Sequence, residues 1–159
     1  MATLMRNVQY LPEYLAAIRE FRESDANGSA LSTPEELAVS IHEAFKDYMN
    51  VIEGSHHMDI GVLLRGFYAT NCKMRLAYNA QGVQGGYIVL NGELIGLFAT
   101  KGKGSWLLNH AMNDGAVLLD CFDGFLPKFY AKHGWTEFQR EANWTAGEPD
   151  VVFMSRTAN

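Results

Sequence analysis

The glycine-rich stretch Lys101-Gly102-Lys103-Gly104-Ser105-Trp106-Leu107-Leu108 is the most informative part of the sequence. It joins residues 93–99, whose apolar pattern predicts a strand, to residues 105–112, which predict a helix. Backbone amides at such a turn, together with the positive end of the helix, favour an anion. A Walker loop would need Ser or Thr at position 104, and a dinucleotide fingerprint would need Gly at position 107. An anion-binding loop of another kind and a plain tight turn with two solvated lysines are the two interpretations left.

The sequence after this loop predicts a strand, a helix and two more strands. Residues 116–122 form a nearly unbroken apolar run of strand length, which is typical of a strand covered on both faces. Asp123 can cap a helix over about residues 124–133, and Gly134 ends it. The last two strands are predicted at residues 135–141 and 150–154.

Two helices are predicted in the first third of the chain. The first begins at Leu11-Pro12 and ends before Asn27-Gly28. Thr33 can cap the second helix, and Glu36 stands three residues later, at the spacing of a capping box. Apolar residues at helical spacing carry this second helix to about Val51.

The middle of the chain predicts an antiparallel meander. Its strands are predicted at residues 73–79, 86–90 and 93–99. Asn91-Gly92 joins the last two strands, and this dipeptide is the strongest short signal for a hairpin. A short strand is predicted at residues 7–10, and no element is assigned to residues 52–66. The predicted order is β-α-α-β-β-β-α-β-α-β-β, in one domain spanning residues 1–159.

Composition argues against several classes of protein. The apolar fraction of 48% is too high for a disordered chain. The chain has 13 Lys and Arg against 18 Asp and Glu, a net charge of −5, and no basic run, so we expect no nucleic-acid partner. No apolar run reaches 18 residues and no signal-like segment opens the chain, so we expect a cytoplasmic protein without a membrane partner. Cys72 and Cys121 are far apart, and no metal site is predicted.

Two motifs resemble the GNAT N-acetyltransferase superfamily. The stretch at residues 101–108 is similar to the second half of the family's coenzyme-binding loop and to the helix that follows it. The stretch Phe129-Tyr130-Ala131-Lys132-His133-Gly134-Trp135 is similar to the family's Y-x-K-x-G-F signature, with Trp135 in place of Phe. One predicted strand separates the two, as in the family. The resemblance implies a GNAT-like α/β (α+β) fold: a mixed, mostly antiparallel twisted sheet flanked by helices and splayed between its fourth and fifth strands.

The resemblance also implies an acyl-CoA-dependent N-acetyltransferase that uses acetyl-CoA as cosubstrate. The fourth-strand backbone at Leu97, Phe98 and Ala99 would meet the pantetheine chain. The pyrophosphate would lie against Lys101, Gly102, Lys103, Gly104 and Ser105. Tyr130 falls where the family often has a tyrosine that protonates the departing thiolate, and Glu93, which begins the fourth strand, is the candidate general base. The acceptor would be an amine on a small molecule or peptide, and the negative net charge favours a cationic one.

Each catalytic candidate has a plainer alternative. Tyr130 could be a helix tyrosine packed at the edge of the core, and Glu93 a solvated residue beside a hairpin turn. Asp120 and Asp123 flank the other side of the implied cleft and are further candidates for the base. The family's Gln or Arg position falls on Ala99, so a noncatalytic interaction or structural protein of the same fold is the alternative function. A homodimer is also open.

Overall fold

The computed structural model describes residues 3–24 and 32–158. The strands are β1 (Leu4–Val8), β2 (Cys72–Asn79), β3 (Gly82–Leu90), β4 (Glu93–Ala99), β5 (Leu118–Phe122), β6 (Thr136–Glu141) and β7 (Val151–Ser155). The helices are α1 (Leu11–Ser24), α2 (Pro34–Val51), α3 (Ile60–Asn71), α4 (Gly104–Asn113) and α5 (Phe125–Ala131), with a short 3-10 turn at Ser55–His57.

One sheet contains all seven strands, in the order β1-β2-β3-β4-β5-β7-β6. The β4–β5 pair is parallel and the other five pairs are antiparallel. The predicted mixed, mostly antiparallel sheet is therefore confirmed. Asn91 and Gly92 have φ values of 51° and 84°, which is the conformation that a two-residue hairpin turn with the right-handed twist requires.

Helices cover the two faces of the sheet with two separate apolar clusters. On one face α1, α2 and α3 pack against β2–β4, with Tyr14, Ile18 and Phe67 fully buried. On the other face α4 and α5 pack against the sheet, with Leu107 and Leu108 fully buried. Burying one such side chain contributes roughly 1.5–3 kcal/mol. The second cluster fixes α4, and with it the glycine loop at its start.

The capping box of α2 is confirmed. The Glu36 amide donates to Thr33 Oγ1, and the Thr33 amide donates to Glu36 Oε1, both at 3.1 Å. The first helix, α1, also forms as predicted from Leu11, whereas its predicted stop signal at residues 27–29 lies outside the described residues.

Helix α3 was not predicted. It begins within residues 52–66, to which no element was assigned, and ends just before the first predicted strand of the meander. Only Leu63 and Phe67 are buried in it, and Gly61 and Gly66 have low helix propensity, so its apolar pattern is weak. The signal that could have found it is Asp59, whose carboxylate accepts a hydrogen bond from the Gly61 amide at 2.8 Å.

Several local predictions were wrong. The first strand is Leu4–Val8, because it pairs with β2 over that range. Strand β5 is covered on one face only, since α1–α3 pack over β2–β4 and leave Leu118, Asp120 and Phe122 exposed. Asp123 is not the cap of α5: Gly124 holds that position, and the Asp123 carboxylate accepts from the Gly124 amide and from Arg140.

Candidate coenzyme cleft and active site

Strands β4 and β5 lie side by side only at their first residues. Gly92 accepts hydrogen bonds from the Val117 and Leu118 amides at 2.8 and 3.1 Å, and Glu93 is in register with Leu118. No other β4–β5 register pair exists among the described residues. The strands therefore separate beyond this junction, which confirms the predicted splay and leaves the β5-facing edge of β4 without a strand partner.

The glycine loop presents unpaired backbone amides at the start of α4. The turn is closed by the Lys103 amide, which donates to the Thr100 carbonyl at 3.0 Å, and Gly102 has a φ of 89°. No side chain caps this helix end. Within the described residues, the amides of Gly104, Ser105 and Trp106 have no hydrogen-bond acceptor. Three donors at the positive end of a helix favour an anion.

The two lysines of the loop add positive charge to these amides. Lys101 is exposed and Lys103 is half-buried, and neither forms an ion pair with a carboxylate in the described part of the chain. An added Cβ at Gly102 would meet nothing within 4 Å, so the loop surface there is open. Donors, charge and space together suit a pyrophosphate.

The three predicted pantetheine-binding positions are the last three residues of β4. Phe98 is buried among the α1–α3 cluster, whereas Leu97 and Ala99 are half-buried and pack toward α4. Their backbone is on the strand that has β3 on one side and the cleft on the other. The structure thus places them beside the glycine loop.

The structure brings the two sequence motifs into contact. Ser105 Oγ lies 3.1 Å from His133 Nε2, and the nearest atom to an added Cβ at Gly104 is Cζ of Phe129, at 3.3 Å. Phe129 also packs against the His133 ring. The predicted site residues include neither Phe129 nor His133, because Phe129 precedes the Y-x-K-x-G-F signature and His133 occupies one of its variable positions. Their proximity to the loop is visible only once α4 and α5 are packed together.

Tyr130 is 6% exposed, and its ring contacts those of Phe129 and Trp135. Its hydroxyl has no hydrogen-bond partner among the described residues, and it is not one of the fully enclosed unpaired polar atoms, which are Thr3 Oγ1 and Trp135 Nε1. The hydroxyl therefore reaches accessible space. Burial raises its pKa, and the neighbouring acidic groups of Cys121 and Asp120 raise the pKa further.

Glu93 lies at the junction from which β4 and β5 diverge. Nearby protein atoms remove part of its water, and this loss together with the charge of Asp120 raises the pKa of the Glu93 carboxyl. Partial desolvation also raises the pKa of Asp120. The charge of Asp120 thus acts on the pKa of both candidate catalytic groups, Glu93 and Tyr130.

A separate depression at the C-terminal end of α4 is lined by Asn109, Met112 and Arg156, among others. The Arg156 guanidinium is already occupied there, because it donates to the carbonyls of Ala116 and Met112, each at 2.7 Å. This depression lies at the opposite end of α4 from the glycine loop. We therefore assign Arg156 a structural role.

No protein-family model matches the sequence, and no curated protein matches it. Solved structures resemble the fold over nearly the whole chain. A GNAT-family acetyltransferase from Streptococcus pneumoniae is 16% identical, covers 99% of this chain and 100% of its own, and has a TM-score of 0.58. A protein from Desulfovibrio desulfuricans described as a GNAT-family acetyltransferase is 17% identical, covers 98% of this chain and 99% of its own, and has a TM-score of 0.58. A chimeric spermidine N-acetyltransferase from Vibrio cholerae and hSSAT is 14% identical, covers 99% of this chain and 96% of its own, and has a TM-score of 0.53. The chain has a GNAT-like fold, as its two motifs predict.

No group of three or more His, Cys, Asp or Glu side chains in residues 3–24 and 32–158 is arranged to hold a metal ion. None of the helices described for the chain has the length and apolarity needed to span a bilayer.

Proposed function

We propose that the protein is an acetyl-CoA-dependent N-acetyltransferase that moves an acetyl group to a primary amine by direct attack. The observation that carries this proposal is the open β4 edge ending at three unpaired amides and two lysines on a GNAT-like fold. Amide groups of a pantetheine chain could extend along that edge, and the pyrophosphate would meet the amides of Gly104, Ser105 and Trp106.

Two side chains of the cleft would move the protons. Acetyl-CoA, when bound, supplies the activated acyl group. Glu93 would accept a proton from the incoming ammonium, so that the neutral amine can form the new C–N bond as the thioester C–S bond breaks. Tyr130 would donate its hydroxyl proton to the sulfur, and the second proton that the nitrogen loses on forming the amide would restore the Tyr130 hydroxyl. The products are then the amide and the free thiol, with one proton on Glu93 to be released to water. The raised pKa of Tyr130 keeps the phenol protonated at neutral pH, and the raised pKa of Glu93 brings that carboxylate closer to the range in which a general base is effective.

We propose a cationic amine as acceptor, on a small molecule or a peptide. Glu93 and Asp120 are solvent-accessible carboxylates at the cleft junction, and their negative charges favour an ammonium group. One similar structure is, by its name, a spermidine N-acetyltransferase, and spermidine is an amine of this kind.

Titration calorimetry with acetyl-CoA tests the proposal. We expect binding with a Kd below 1 mM, a bound that corresponds to about −4.1 kcal/mol. The double variant Lys101→Ala/Lys103→Ala should bind about tenfold more weakly at low salt, since each exposed charge contributes up to about 1 kcal/mol. Lys46→Ala is the matched control, because Lys46 is an exposed lysine on α2. Absence of binding at millimolar coenzyme would refute the enzyme and leave the noncatalytic alternative.

A further inference from the structure

Between two of its register pairs with β3, strand β4 contains one residue more than β3 does. Ile88 of β3 is opposite Ile95, and Gly86 is opposite Phe98, so two residues of β4 face one residue of β3 between these pairs. Gly96 is one of the two, and its φ is 64°. This is a β-bulge, which bends a strand and disturbs its hydrogen-bond ladder. It follows the junction at Glu93 and includes Leu97, the first of the positions proposed for pantetheine.

Tyr14 of α1 holds the bulge from the opposite side of the sheet to α4. Its hydroxyl donates to the Gly96 carbonyl at 2.7 Å, although the two residues are 82 positions apart in sequence. Tyr14 is 0% exposed, and its ring meets that of Phe98 edge to face at 5.8 Å. A bulge disturbs the ladder, and an unpaired carbonyl that is removed from water is costly, so this part-buried hydrogen bond favours the bulged conformation over a regular strand.

Helix α2 restrains the same point. A Cβ added to Gly96 would lie 3.0 Å from a methyl of Leu37. Leu37 is itself 2% exposed and has little room to move. On this side of the sheet α1 and α2 thus cover the bulge, and among residues 3–24 and 32–158 the only side-chain hydrogen bond to it comes from Tyr14.

We propose that Tyr14 is a positioning residue for the acetyl-transfer cleft. By fixing the bulge at Gly96 it sets the path of β4 from Leu97 onward, and so presents the β5-facing edge for coenzyme binding. Tyr14 touches neither the coenzyme nor the reacting groups in this role. The inference rests on the proposed function for its coenzyme part, while the effect on the bulge stands independently.

Tyr14→Phe tests both parts, because it removes the hydroxyl and keeps the ring packing. Amide hydrogen exchange in the free protein should be about fivefold faster at residues 96–98, relative to the rest of β3 and β4, if one buried hydrogen bond is lost. Tyr87→Phe is the matched control. Tyr87 is the β3 residue opposite the bulge and is 1% exposed, but its hydroxyl donates to Asp114 at 2.5 Å and not to the bulge, so Tyr87→Phe removes a buried tyrosine hydrogen bond without removing the one to Gly96. Unchanged relative exchange at residues 96–98 in Tyr14→Phe would overturn the proposal.

Calorimetry with acetyl-CoA gives the second readout. We expect the Kd to rise about fivefold in Tyr14→Phe and to stay within twofold of wild type in Tyr87→Phe. Faster exchange with an unchanged Kd would overturn the coenzyme part. Failure of the wild type to bind would refute the proposed function, and the exchange comparison would still decide whether Tyr14 fixes the bulge.

A second pair of variants covers the case in which Tyr14→Phe does not fold. Gly96→Ala strains the bulge directly through its positive φ and the Leu37 contact. Gly54→Ala has the same kind of backbone strain, with a φ of 74°, but an added Cβ there meets nothing within 4 Å. We expect weaker acetyl-CoA binding for Gly96→Ala only. Equal affinities of the two variants would overturn the role of the bulge.

Discussion

Tyr130→Phe should separate catalysis from stability. The substitution keeps a ring of the same shape in contact with Phe129 and Trp135, whose centroids lie 5.4 and 6.0 Å away. The hydroxyl that it removes makes no hydrogen bond to any described residue, so no buried partner is left unpaired. We therefore expect the free energy of unfolding to change by less than about 0.5 kcal/mol.

The expected loss of turnover follows from the environment of the phenol. A general acid contributes about 10²–10⁴-fold to a rate. Burial and nearby acidic groups raise the pKa of Tyr130 above its usual value, whereas an ordinary thiol has a pKa of about 8.5, so proton transfer to a thiolate is unfavourable. We expect a fall in kcat near the lower limit, about 10²-fold or about 2.7 kcal/mol in the barrier. The KM for acetyl-CoA should change little, because the hydroxyl is not part of the amide loop.

The assay measures thiol release from acetyl-CoA with spermidine, L-lysine and a peptide with a free N-terminus as acceptors, beside urea unfolding. Tyr87→Phe is the control with the opposite signature: it removes the 2.5 Å hydrogen bond to Asp114, so it should lower stability by about 1–3 kcal/mol and keep its kcat. A kcat for Tyr130→Phe within twofold of wild type would remove Tyr130 from the mechanism. A loss of stability above about 1 kcal/mol would give its hydroxyl a structural role instead.

Four further substitutions address the general base, the folded state at low pH and a helix cap. Glu93→Gln should lower kcat by about 10²-fold, and Asp120→Asn should shift the rising limb of kcat/KM to lower pH, because Asp120 raises the pKa of Glu93; pH–rate profiles measure both. Burial opposes ionisation of Asp114, but hydrogen bonds, from Arg75 first, hold its pKa below the usual value. The ionised Asp114 carboxylate therefore stabilises the fold fully above the unfolded-state pKa of about 3.9, and this stabilisation is lost as the pH falls through the lower folded-state pKa. In urea unfolding, the free energy of unfolding should fall less between about pH 5 and pH 2 in Asp114→Asn than in the wild type. Thr33→Ala should cost about 1 kcal/mol in thermal unfolding, since it removes the side-chain cap of α2.

The strands and helices with strong local signals could be predicted from the sequence. Strand β4 and the Asn91-Gly92 turn appear as predicted, and α2 begins at Pro34 after its capping box. These elements depend on interactions within a few residues. Helix α3 depends instead on packing two side chains, Leu63 and Phe67, against distant parts of the chain. The apolar pattern of α3 was too weak to predict a helix.

The candidate site was predictable where backbone carries the chemistry and not where packing does. The glycine loop could be predicted from residue type, since a turn with a φ of 89° at Gly102 favours glycine. The exposed face of β5 does not, because an apolar run such as residues 116–122 looks the same whether one or both faces are covered. The contact between Tyr14 and the bulge could not be predicted from the sequence either, because it joins residues that are 82 positions apart.

The structure also changes which residues of the loop are informative about a ligand. The sequence suggests that Gly102 and Gly104 need a ligand to explain them. Yet Gly102 is accounted for by its positive φ, and Gly104 by the Phe129 ring, which would lie 3.3 Å from an added Cβ. A bulky residue at position 104 would therefore displace Phe129 as well as obstruct a coenzyme, so a loss of affinity there would have two causes. The features that packing leaves unexplained are the three free amides of α4 and the lysines at positions 101 and 103, and for that reason the coenzyme proposal is better tested by removing the lysine charges than by filling the glycines.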